Sequence, residues 1–121
     1  MILTNEALLD TTVYGQASGN YDGSSQDFHG NAVIAANYYA GLGAIQTATI
    51  SVTDFVGTIT LQATLYDQVD SAAWFDVGTY GNGVDPYTEV YPITVTGNFT
   101  YMRVRVTGFD AGTINSITLV Y

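Results

Sequence analysis

The sequence predicts an all-β domain: an antiparallel β-sandwich of about seven or eight strands, with a jelly roll as one arrangement of it and an irregular N-terminal segment. Three observations carry that expectation. The 121 residues include ten tyrosines and thirteen glycines among abundant Thr, Val and Ile, and β-branched and aromatic side chains suit a pleated, half-buried surface. Apolar and polar residues alternate with a period of two over long stretches, and turn residues punctuate them roughly every ten positions. No segment sustains helical periodicity over three turns; "NEALLD" (5–10) has the length for one short helical turn and no more.

Taken in order, residues 17–31 ("ASGNYDGSSQDFHGN") are rich in Gly, Ser and Asn and read as a polar loop or extended arm within the first 43 residues. "AVIAANYYAG" (32–41) reads as a strand. "AIQTATISVTDF" sets Ala48, Ile50 and Val52 against Thr47, Thr49 and Ser51, and "GTITLQATLYD" sets Ile59, Leu61, Ala63 and Leu65 against Thr58, Thr60, Gln62 and Thr64. Residues 54–57 between them supply a turn, so the two strands are expected to form a hairpin. "SAAWFDVGTY" (71–80) is a short strand around Trp74, Phe75 and Val77, and "GNGVDP" (81–86) is a turn. Two strands follow, joined at "TGN" (96–98). Pro92 lacks an N–H for a ladder, which places its strand at an edge or a bulge. "DAG" (110–112) is expected to turn into the last strand. "FVGTITL" and "FDAGTINSITL" echo each other, as two similar hairpin entries would.

This length makes one domain, 1–121, and buries roughly two-thirds of the surface of its unfolded chain, enough for a core without staples. The 47 % hydrophobic content supplies that core. With no cysteine, disulfides, zinc–thiolate sites and thiol nucleophiles are excluded. "MILTNEALL" lacks the basic start of a signal peptide, and no apolar run approaches a membrane span, so a soluble protein is expected.

Eleven acids against Arg103 and Arg105, with no lysine, give a net charge of −9. Two arginines cannot neutralise a phosphate backbone in such a field, so nucleic acid and anionic membranes are excluded as partners. A protein partner is then neutral, basic or bridged by calcium. The two arginines sit two apart in "YMRVRVTGF", so they share one face of a strand while Met102, Val104 and Val106 face the core. About 6.6 Å separates their bases, and they repel by about 0.6 kcal/mol in water and several-fold more where partly desolvated. They need anions nearby. Either a neighbouring strand supplies them, with Asp76 or Glu89 as candidates, or the pair reaches a carboxylate on another protein, where the planar guanidinium fork is the favoured interface cation.

Catalysis has little to draw on. The single histidine, His29, lies in the polar loop without a local Ser or Asp partner arrangement, and nothing sets two carboxylates across a cleft, so the chain is read as no enzyme. Calcium is the one cofactor the pattern admits: Asp67, Asp70 and Asp76 cluster and Asp85 adds a fourth, although scattered loop aspartates also serve turns. Trp74 and the tyrosines are candidates for stacking on a sugar, against the plainer reading of Trp74 and Phe75 as alternating core aromatics.

From residue 53 to 121 the cadence "TDFVGTITLQATL", "WFDV", "TGNFTYMRVRV", "GTINSITL" resembles small all-β virion structural proteins of tailed bacteriophages, of the marine and cyanobacterial type. The resemblance implies a virion component made in the host cytoplasm: a capsid decoration (cement) protein on the head, or a tail, neck, baseplate or fibre part. It implies the major capsid protein or other virion proteins as partners, a homo-oligomer, and no catalytic residues.

Overall fold

The computed structural model describes residues 5–35, 45–65, 73–97 and 99–121. They form eight strands: β1 (Asn5–Leu9), β2 (Thr12–Val13), β3 (Phe28–His29), β4 (Val33–Ile34), β5 (Ile45–Thr64), β6 (Phe75–Tyr80), β7 (Tyr87–Thr96) and β8 (Tyr101–Val120). All pair antiparallel in one open sheet of order β1–β8–β5–β6, with β2, β3 and β4 also on β8 and β7 on β5.

The two 20-residue strands are the spine, paired from Thr47 opposite Val120 to Thr64 opposite Tyr101. Both expected hairpins therefore open out into single strands. Residues 54–57 and 110–112 carry the glycines of turns, but they make bulges: the β5–β8 register shifts between Thr53 and Val56 and again before Thr58. A bulge inserts residues on one strand, bends it and flips its side-chain phase. The burial pattern records the flip. Buried positions in β5 run Ala48, Ile50, Val52, then Phe55, then Ile59, Leu61, Ala63. Those in β8 run Met102, Val104, Val106, then Phe109, then Ile114, Ile117 and Leu119. Leu65, placed by its alternation on the apolar face, is 61 % exposed because β5 ends at Thr64.

The bends interlock. Asp54 has a φ of 51° and Gly112 one of 89°, and a Cβ on Gly112 would overlap the Asp54 carbonyl. Phe55 and Phe109, the aromatic residues of the two echoing segments, meet with ring centroids 5.7 Å apart. The echo thus marks two matching bends rather than two hairpins. Backbone groups freed by the bulges find other partners. Thr88 Oγ1 accepts from the Asp54 N–H at 2.8 Å. Gly108 N–H donates to Asp27 Oδ1 at 3.1 Å, and Phe109 N–H to the Gln26 carbonyl at 3.0 Å.

The N-terminal segment lies along β8. "NEALL" is a strand and not a helical turn: an isolated turn fixes several dihedrals for one hydrogen bond, whereas the β8 edge satisfies the backbone and buries Leu8 and Leu9. The polar stretch that follows is pinned by Tyr21, which is buried against Phe28 and Phe109 and accepts the Gly15 N–H on its hydroxyl at 3.0 Å. The Asp22 carboxylate accepts from the Ser25 and Ser24 N–H groups at 2.7 and 2.8 Å, which holds its pKa down at about 2. Only Val33–Ile34 of the expected 32–41 strand is seen as strand; residues 36–44 lie outside the described residues.

Pro92 lies in β7, an edge strand paired with β5. The tight connection expected at 96–98 does not pair the strands on either side: β7 and β8 sit on opposite edges of β5. In the 81–86 turn Asn82 Oδ1 accepts from the Val84 and Asp85 N–H groups, both at 2.9 Å. Buried hydrophobic side chains from both halves of the long strands belong to one cluster. The halves also touch away from the ladders: Asn31 N–H donates to the Leu8 carbonyl at 2.7 Å, and Ile93 of β7 fills the space beside Gly78 of β6.

Phe109 touches Tyr14, Tyr21, Phe28 and Phe55 and is fully buried. Phe109→Ala is expected to lower the unfolding free energy by about 3–5 kcal/mol. Tyr14→Ala, on a ring 47 % exposed, is expected to lose less than half of that. Urea unfolding midpoints at matched m-values check both.

Candidate functional site

On the half of the sheet built from the start of β8, inward residues alternate with an outward row. Arg103 is directly opposite Gln62 of β5, and Gln62 is opposite Asp76 of β6. One step along, Arg105 is opposite Thr60, and Thr60 opposite Thr79. On the other edge of β8, Arg105 is opposite His29 of β3. Strand alternation thus gathers two arginines, the histidine, an amide, a carboxylate and two threonines, with Thr58 beyond, on one outer face.

Arg103 is the organised member. Its Nε–H donates to Gln62 Oε1 at 2.9 Å, and Gln62 Nε2–H donates onward to Asp76 Oδ1 at 3.0 Å. Its guanidinium carbon lies 4.3 Å from the centre of the Trp74 ring, a cation–π contact of about 0.5–2 kcal/mol depending on desolvation. The stack and the Nε bond fix the plane of the fork. Burial first, then Arg105, pull the Arg103 pKa down. Among the described residues neither arginine lies within ion-pair distance of a carboxylate. The face therefore presents cations without neutralising them.

Of the residues singled out in the sequence, Arg103, Arg105, Trp74 and Asp76 come together here. Asp76 reaches Arg103 only through Gln62. Glu89, the other proposed ion-pair partner, is on β7 and accepts the Tyr80 hydroxyl at 2.7 Å, which, behind burial, pushes the Tyr80 pKa up. Trp74 has Arg103 against one ring face, so a sugar could stack only on the other. Phe75 is no deep core residue: it is 41 % exposed and meets Phe99 edge-on at 5.6 Å. Of the four candidate calcium ligands, Asp67 and Asp70 lie outside the described residues. Asp76 is engaged by Gln62, and Asp85, beyond the far end of β6, accepts from Asn82 Nδ2 at 2.9 Å. Among the described residues no three acidic or histidine side chains sit close enough to hold a metal ion.

Sequence reasoning missed Gln62 and undervalued His29. Gln62 had a signal, being the one long side chain in a polar row of threonines. His29 had only its place after Phe28, whose burial turns the histidine outward. A shallow concavity of about 70 Å³ lies elsewhere, lined by residues 9–12, 18–20 and 31, with the buried Ser18 hydroxyl unpartnered at its wall. It has room for a few water molecules and little more.

Burial first, then Arg103 and Arg105, hold the His29 pKa below its ordinary 6.5. Its folded-state pKa being depressed, its contribution to stability is present above about pH 6.5 and is lost as pH falls through the folded-state value. In an NMR titration His29 is expected to protonate below pH 6.5 and to move back toward that value in the Arg103→Ala/Arg105→Ala variant; an unchanged midpoint would remove the arginines as a cause. No known family model matches this chain, and no curated protein sequence matches it.

Proposed function

We propose that this chain is a non-enzymatic binding protein that docks through the Arg103–Arg105–Trp74 face on a carboxylate-bearing protein surface. The setting that its resemblance to phage virion proteins implies is the assembled head, where it acts as a capsid decoration protein. One observation carries the reading: a domain of net charge −9 keeps its two arginines adjacent, one of them held in orientation, and without a carboxylate at ion-pair distance among the described residues. A structural role alone favours neutralised cations. A ligand that binds only the assembled state stabilises that state by mass action.

The bent sheet is read here as a β-sandwich in the jelly-roll manner. Support comes from the single core shared by both halves of β5 and β8, since a sheet face must be covered by another layer. Placement on a tail, neck, baseplate or fibre shares this fold and this face. A carbohydrate- or receptor-binding role rests on the remaining face of Trp74.

Immunogold labelling of the particles that carry this protein distinguishes head from tail. Co-sedimentation of added protein with such particles tests the face. Arg103→Ala/Arg105→Ala is expected to weaken docking about thirtyfold, as loss of a hot-spot residue does, while the melting temperature falls by only a few degrees. Undiminished docking by this variant would overturn the reading, and quenching of Trp74 by bacterial polysaccharides would move it to the carbohydrate role.

A further inference from the structure

We propose that His29 is the third arm of an anion site with Arg105 and Arg103, and that this site takes an acidic protein segment more tightly as pH falls. The inference rests on the docking reading above and specifies its ligand and its control.

The geometry comes from the ladder. His29 and Arg105 are directly opposed on β3 and β8, so their Cα atoms are about 4.5–5.5 Å apart. Arg103 follows Arg105 by two residues, about 6.6 Å along the same face. All three side chains thus rise from one small patch. The histidine is held there by its neighbours. Phe28 is buried, which by alternation turns His29 to the outer side, where it is exposed. Its carbonyl accepts from Asn20 Nδ2 at 3.1 Å, and the next residue, Gly30, donates its N–H to the Val104 carbonyl at 2.8 Å.

Among the described residues the surrounding charges are these, Asp67 and Asp70 lying outside them. On β8 the facing charges are Arg103 and Arg105. On β5 the row is uncharged, Thr60 and Gln62. On β6 Asp76 is taken by the Gln62 amide. In the segment before β3, Asp27 accepts the Gly108 N–H and Asp22 its own turn, while Asp110 on β8 accepts from Gln26 Nε2 at 2.9 Å. Among the described residues the carboxylates nearest in sequence thus have other hydrogen-bond partners. Arg103 and Arg105 disfavour a third positive charge in the free protein, so the imidazole is neutral at neutral pH. An incoming carboxylate reverses that balance. Binding then takes up a proton from solvent, and the affinity due to His29 is full below the free-state pKa and fades as pH rises through the bound-state pKa.

Three cations match a short segment bearing two or three carboxylates. A nucleic acid, with one charge per ~1.7 Å of duplex, would extend past the patch into the acidic remainder of a −9 domain.

The sole tryptophan, Trp74, stacks on Arg103 and reports the site. Its fluorescence would be titrated with a short, otherwise uncharged peptide bearing three aspartates, at pH 7.5 and pH 5.5. The wild type, His29→Gln and Arg103→Ala/Arg105→Ala would be compared, each checked for fold by circular dichroism. The wild type is expected to bind about fivefold more tightly at the lower pH, the effect between these two pH values of a one-unit rise in the His29 pKa on binding. His29→Gln is expected to bind equally at both pH values, and the double variant at neither. A His29→Gln protein that keeps the full pH dependence overturns the role of His29 and leaves the arginine face standing. A wild type that ignores the peptide at both pH values overturns the docking reading itself, as does a response to an oligonucleotide of equal charge in its place.

Discussion

Two strands of 20 residues run side by side through this molecule, and each must bend at the same level for the sheet to bury a face. Straight strands of that length would span about 65 Å with an apolar side that nothing covers. The bends solve this together. Asp54 takes a positive φ, Gly112 admits the Asp54 carbonyl where any other residue would place a Cβ, and Phe55 and Phe109 stack across the fold line. The register shift flips the side-chain phase, so apolar residues continue on the buried side after the bend.

Much of the remaining structure services this hinge line. Thr88 of β7 and residues 26–27 ahead of β3 accept the N–H groups that the bulges release. Tyr14 and Tyr21 bring the N-terminal segment onto Phe109. Phe109 is fully buried, and leaving its N–H unpaired would cost about 1–3 kcal/mol, so the Gln26 carbonyl ties the polar N-terminal segment to the bend alongside the aromatic packing. That tie seats β3, and β3 brings His29 to the edge of Arg105.

The outer face shows how a sheet builds a polar relay. Arg103, Gln62 and Asp76 come from three strands at one ladder level, and the amide joins cation to anion without letting them touch. Trp74 supplies the floor. The result is a guanidinium held in place and, among the described residues, without a carboxylate at ion-pair distance, on a domain whose charge is otherwise negative. Long-range steering by that negative field favours partners with neutral or basic surroundings. The carboxylate contact acts only at close range, within a Debye length of about 8–10 Å.

Periodicity alone determined which residues face the core: Ala48, Ile50 and Val52, Ile59, Leu61 and Ala63, Met102, Val104 and Val106 are all buried. It also placed Arg103 and Arg105 together, and Pro92 on an edge strand, because alternation and the missing N–H are local properties. Connectivity was not local. Glycine and aspartate at 54–57 and 110–112 suit a turn and a bulge equally, and only pairing along the whole length of β5 and β8 chose the bulge. Nor could one-dimensional spacing bring Trp74 under Arg103, put Gln62 between Arg103 and Asp76, or set His29 against Arg105. Those meetings depend on strand order and register across four strands, and the packing of the bent sheet settles both.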